Sequence, residues 1–80
     1  MNVLFVEDDQ AIAMGLVYTL KKEGYEVVWC DCKQAALQQL HQQAFDLLLL
    51  DVGLPDGSGY DICTYAKSRQ DVPILFLTAL

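Results

Sequence analysis

Apolar residues in this chain gather into four short runs, each closed by polar or turn-forming residues. The first is Val3-Leu4-Phe5-Val6, which follows Asn2 and stops abruptly at Glu7-Asp8-Asp9. The third is Leu47–Leu50, consecutive leucines that end on Asp51 and lead into a loop built from Pro55, Gly57 and Gly59. The fourth, Ile74–Leu77, begins after Pro73 and ends at Thr78. The third, bounded by turn residues, reads as a strand buried on both faces, the first as a buried strand and the fourth as a further apolar strand. The second run, Tyr25–Cys30, is different. Tyr25, Val27 and Trp29 fall on one side and Glu26 on the other, which suits a strand near a sheet edge.

Helical signals fill the gaps between the runs. Asp9 is a candidate N-cap, and Ile12, Leu16 and Leu20 mark one face at i, i+4 spacing. Lys21 and Lys22 fall in the last turn and Gly24 supplies the stop. Asp31 with Gln34 three residues on resembles a capping box, and Ala36, Leu37, Leu40 and Ala44 give the inward stripe of a second helix. Gln38, Gln39, Gln42 and Gln43 form its solvated face. Ser58 and Asp61 cap a third helix, whose inward stripe is Gly59, Ile62, Cys63 and Ala66. A turn at Arg69–Asp71 follows. The order is βαβαβαβ, without linker or low-complexity tract, so residues 1–80 are expected to form one α/β domain. Strands alternating with helices at this spacing pair in parallel through right-handed crossovers.

Composition narrows the class. The chain has 80 residues, 54 % of them apolar, and a net charge of −6. A chain so short buries only roughly 60 % of the surface its unfolded form exposes, so its stability is marginal. Its apolar content points to a packed core rather than disorder. The negative charge argues against nucleic acid as a direct partner, because phosphate contacts need a basic face. It suits a bound cation or a basic partner surface better. No apolar run approaches the ~18 residues of a membrane span, and the amino terminus lacks the basic-then-apolar layout of a signal peptide. A cytoplasmic protein without a membrane partner is expected. Cys30, Cys32 and Cys63 make no disulfide framework, and with His41 they match no common zinc spacing. Free thiols are the expectation.

In a parallel sheet all carboxyl ends lie on one rim, where open α/β sheets place ligand-handling groups. Glu7, Asp8 and Asp9 close the first strand, Asp51 the third and Thr78 the fourth. Taken alone, Asp51 reads either as a cap for the following turn or as a ligand-handling carboxylate. Glu7 and Asp8 read either as solvated strand-end charges or as part of the same site, and Thr78 either as a strand terminator or as a site hydroxyl. Several carboxylates in one small pocket repel unless a cation neutralises them or one stays protonated. A hard divalent ion such as Mg²⁺ resolves the conflict, using one or two carboxylates and keeping several waters. A metal-bound carboxylate beside a hydroxyl suits phosphoryl chemistry, with aspartate as nucleophile. A nucleotide-binding reading finds neither G-x-G-x-x-G nor G-x-x-x-x-G-K-[ST] after the first strand.

Three stretches, LFVEDD, LLLLDVGLPDGSG and PILFLTA, stand in that order at three strand ends. Together they resemble the receiver domain of bacterial response regulators, the phospho-accepting half of two-component signalling. The LPDGSG loop is most similar to the subfamily whose receivers are fused to winged-helix DNA-binding domains. The resemblance spans essentially the whole chain. It implies a flavodoxin-like, doubly wound parallel sheet with strand order 2-1-3-4. It also implies that Asp51 accepts a phosphoryl group from a histidine of a sensor kinase. Asp8 would bind Mg²⁺ directly, Glu7 would assist through water, and the backbone carbonyl of Gly53 would complete the protein ligands. Thr78 would be the switch hydroxyl, with Pro55 and Gly57 shaping the loop over the site. Such a domain catalyses at most its own phosphorylation and dephosphorylation, so no enzyme acting on a separate substrate is expected. Its output would be a transcription factor that reaches DNA only through a domain outside these residues.

The resemblance is incomplete. The chain stops at Thr78-Ala79-Leu80, where the family continues with a helix, a fifth strand ending in a lysine that contacts the phosphoryl group, and a final helix. None of Lys21, Lys22, Lys33 or Lys67 replaces that lysine by homology. The fourth strand would keep a bare edge beside Ile74, Phe76 and Leu77, and exposed apolar edges recruit other chains. Self-association through that edge is therefore expected. A smaller departure is Cys32-Lys33, where relatives often carry an Asp/Asn-Gly turn. An alternative follows from the missing parts: a truncated receiver that serves only as an interaction module, without phosphotransfer. Mg²⁺-dependent modification of Asp51 separates the two readings.

Overall fold

The computed structural model describes residues 1–77. The elements are β1 (Asn2–Val6), α1 (Gln10–Lys22), β2 (Glu26–Cys30), α2 (Lys33–Gln42), β3 (Leu47–Asp51), β4 (Gly53–Leu54), β5 (Gly57–Ser58), α3 (Gly59–Arg69) and β6 (Ile74–Leu77). The long strands make one parallel sheet in the order β2-β1-β3-β6. This is the expected 2-1-3-4 order, with β6 as its fourth strand. β4 and β5 form a separate antiparallel hairpin around Pro55-Asp56, which the sequence pattern did not announce.

Position in the sheet explains the apolar runs. β1 pairs with β2 on one side, Val6 opposite Cys30, and with β3 on the other, Val6 opposite Leu50. Flanked on both edges and both faces, Val3, Leu4, Phe5 and Val6 are wholly buried. Alternation along the strands then makes two cores. Leu4, Val6, Leu48 and Leu50 pack with Ala36 and Leu40 of α2 and Ile62 and Ala66 of α3. Val3, Phe5 and Leu49 pack with Ala13 of α1 on the opposite face, where Tyr25, Val27 and Trp29 join them. β2 is an edge strand, as its single charged position suggested.

Helix ends follow local chemistry at α1 and α3. Asp9 Oδ1 accepts the Ile12 N–H at 3.1 Å. At the other end, Gly24 takes a φ of 95°, and the N–H groups of Gly24 and Tyr25 donate to the carbonyls of Lys21 and Leu20, closing the last turn as a glycine-terminated helix does. Ser58 Oγ accepts from Tyr60 N–H while the Ser58 N–H donates to Asp61, so the capping box of α3 is present.

Three expectations are corrected. Ile12 is 55 % exposed. The inward face of α1 is Ala13, Leu16, Val17 and Leu20, with Ala13 fully buried against the sheet. Asp31 and Gln34 do not cap α2. Its N-cap is Cys32, with no side-chain bond, and the free N–H groups of Lys33 and Gln34 donate instead to Asp56 at 2.7 and 2.9 Å. Ala44 also falls beyond α2 and is exposed.

Candidate functional site

Parallel pairing brings the ends of β1 and β3 side by side, and three carboxylates converge there. Glu7, Asp8 and Asp51 each offer an oxygen within 4.8 Å of the others. Their settings differ. Asp8 is exposed and Asp51 half-buried, whereas Glu7 is only 6 % exposed. Among the described residues Glu7 Oε2 has no hydrogen-bond partner. Burial, then a hydrogen bond with Asp51 and the charges of Asp51, Asp8 and Asp9, push the Glu7 carboxyl up to about 7. A buried, unpartnered carboxylate oxygen among like charges is the donor set a hard divalent cation fits.

The backbone that carries Glu7 is held by β2. The Glu7 N–H donates to the Cys30 carbonyl at 3.0 Å, and the Trp29 indole N–H donates to the Glu7 carbonyl at 2.9 Å. Nothing in the sequence pattern pointed to the second bond beyond a tryptophan near the end of a strand. The loop after Asp51 is also tied down. Gly53 lies in β4 opposite Ser58. The Gly59 N–H donates to the Val52 carbonyl at 2.8 Å, and a Cβ at Gly59 would collide with the Asp51 carbonyl oxygen. Only glycine lets the start of α3 approach the acidic strand end so closely. Asp56 connects the same loop to α2, and its bonds from the Gln34 and Lys33 N–H groups hold its carboxyl below the usual carboxylate range.

Of the expected site residues, Glu7, Asp8 and Asp51 are brought together, Gly53 sits two residues past Asp51 in the adjoining hairpin, and Thr78 lies outside the described residues. Lys33 is engaged near the loop, with Nζ 3.7 Å from Asp61. Lys67 donates to the Val72 carbonyl at 2.7 Å.

The model of the response regulator receiver domain matches residues 3–80. The chain belongs to the response regulator receiver family. Among curated receiver-containing relatives, it is 38 % identical over 78 residues to the sensory transduction protein RegX3 of Mycobacterium tuberculosis, covering 98 % of this chain and 34 % of that protein. It is 42 % identical over 79 residues to the transcriptional regulatory protein CreB of Escherichia coli, again covering 98 % and 34 %. The receiver spans about a third of the length of these relatives. Its fold is similar to a chain in the crystal structure of histidine kinase ThkA in complex with response regulator protein TrrA. The TM-score is 0.88 at 30 % identity, covering 98 % of this chain and 68 % of that one. None of the helices described in the receiver is long and apolar enough to cross a membrane.

Proposed function

We propose that this receiver accepts a phosphoryl group on Asp51 from a phosphohistidine of a sensor kinase, in a site that binds Mg²⁺. The observation that carries the reading is the convergence of Glu7, Asp8 and Asp51, with the buried Glu7 Oε2 lacking a partner among the described residues. A kinase partner draws support from the similarity to a chain of the ThkA–TrrA complex. An Asp51 carboxylate oxygen attacks phosphorus, the P–N bond breaks, and its electron pair stays on the leaving imidazole. Asp8, Asp51 and the Gly53 carbonyl would hold the metal, with Glu7 assisting. When bound, Mg²⁺ supplies the positive charge that offsets the carboxylates and the phosphoryl oxygens. Thr78 serves as the switch hydroxyl. The domain is not an enzyme with a separate substrate, since it modifies only itself. It works in the cytoplasm beside its kinase, and any DNA contact belongs to another part of a longer regulator, in keeping with CreB being a transcriptional regulator. Self-association through the outer edge of β6 is part of the same proposal.

Intact mass after incubation with an acyl phosphate and Mg²⁺ tests the reading. The wild type is expected to gain one phosphoryl group, and neither Asp51→Asn nor a sample with excess chelator should gain it. Absence of any gain in protein shown to be folded by circular dichroism overturns the proposal in favour of an interaction module.

A further inference from the structure

We infer that Trp29 is a positioning residue for the acidic cluster: its indole N–H fixes the Glu7–Asp8 peptide, and with it both carboxylates at the end of β1, in the arrangement that binds Mg²⁺. The inference rests on the metal site proposed above. Glu7 lies beyond the last ladder pair between β1 and β2, Val6 opposite Cys30. Past that pair β2 still holds the Glu7 N–H, which donates to the Cys30 carbonyl at 3.0 Å, whereas the Glu7 carbonyl takes its bond from the Trp29 side chain. The Glu7 carbonyl is part of the peptide group that joins Glu7 to Asp8, so its direction sets where both side chains begin. Trp29 Nε1 donates to that carbonyl at 2.9 Å.

The reach follows from register. Trp29 stands opposite Phe5, and Glu7 is two residues further on, a rise of roughly 7 Å. An indole spans such a distance with its donor at the far tip. The body of the ring joins the core beneath α1, but one side borders an open groove of about 370 Å³ lined by Met14, Val17, Tyr18, Lys21 and Val27. Packing alone therefore leaves the ring room to swing. The hydrogen bond holds its tip at the rim, an arrangement that uses the apolar body and polar end of tryptophan together.

Trp29 is the chain's one tryptophan, so replacing tryptophan biosynthetically changes a single site. Benzothienylalanine puts sulfur in place of the N–H and keeps the ring shape, whereas 7-azatryptophan keeps the N–H. Mg²⁺ affinity is read by calorimetry at a temperature where circular dichroism shows each protein fully folded. Loss of one neutral hydrogen bond is expected to weaken Mg²⁺ binding roughly three- to ten-fold in the sulfur analogue, with the aza analogue within about twofold of wild type. Trp29→Phe should move in the same direction as the sulfur analogue. A sulfur analogue that melts earlier yet binds Mg²⁺ as wild type does overturns the inference, because the bond is then structural only. Wild-type protein that binds no Mg²⁺ overturns the metal reading beneath it, and the inference with it.

Discussion

Glu7 shows how one residue can set the pH behaviour of a fold. Its carboxyl ionises at about 7 in the folded chain, against an ordinary glutamate value of 4.5. Between those values the folded state holds a proton that the unfolded state has released, so stability falls as pH rises through that window. In chelator, the urea midpoint of metal-free protein is expected to be higher at pH 5 than at pH 8. Glu7→Gln should flatten this dependence, because it removes both the titration and a buried charge. A wild-type midpoint that rises steadily over the same range would contradict the assignment. Mg²⁺ should recover part of the loss at pH 8 in wild type and less in Glu7→Gln, since a ligand that binds only the folded state stabilises it.

At the scale of elements, the three helices are started by different means. α3 depends on its own capping box, and Ser58→Ala is expected to cost about 0.5–2 kcal/mol, measurable by urea unfolding. α2 depends on Asp56 from the loop after Asp51. That difference accounts for much of what was legible in the sequence. The strands were legible because burial on both faces leaves unbroken runs such as VLFV and LLLL. The caps of α1 and α3 were legible because donor and acceptor lie within three residues of one another. The cap of α2 was not, since a bond from the Lys33 N–H to the Asp56 carboxylate is invisible to any local pattern. The face of α1 was misread for another reason. Spacing alone fits Ile12-Leu16-Leu20 as well as Ala13-Leu16-Leu20, and close approach to the sheet favours the smaller side chain. The carboxylate cluster was legible because a parallel sheet gathers its strand ends, whereas the Trp29 bond depends on a side-chain conformation that no spacing encodes.

Across the whole molecule, the two outer strands of the described sheet are unlike. β2 carries the exposed charge of Glu26. β6 presents Leu75 at 57 % exposure, and among the described residues it pairs only with β3. Apolar surface beside an unpaired strand favours association. Light scattering is expected to show average mass rising with concentration, and Leu75→Lys should hold the protein monomeric. A wild-type mass that stays at the monomer value at the highest concentration would refute this. The place of β1 has a consequence in time. Its first neighbour, β2, follows directly after α1, but its second, β3, follows only after α2. During synthesis the most fully buried strand of the fold therefore emerges long before the partner that covers its other edge. Contacts so distant in sequence form late, and until β3 arrives the nascent chain presents VLFV to whatever is nearby. Chains stalled just after Cys30 should bind a holdase chaperone and be cut readily by protease, and both liabilities should fade once Asp51 has cleared the ribosome.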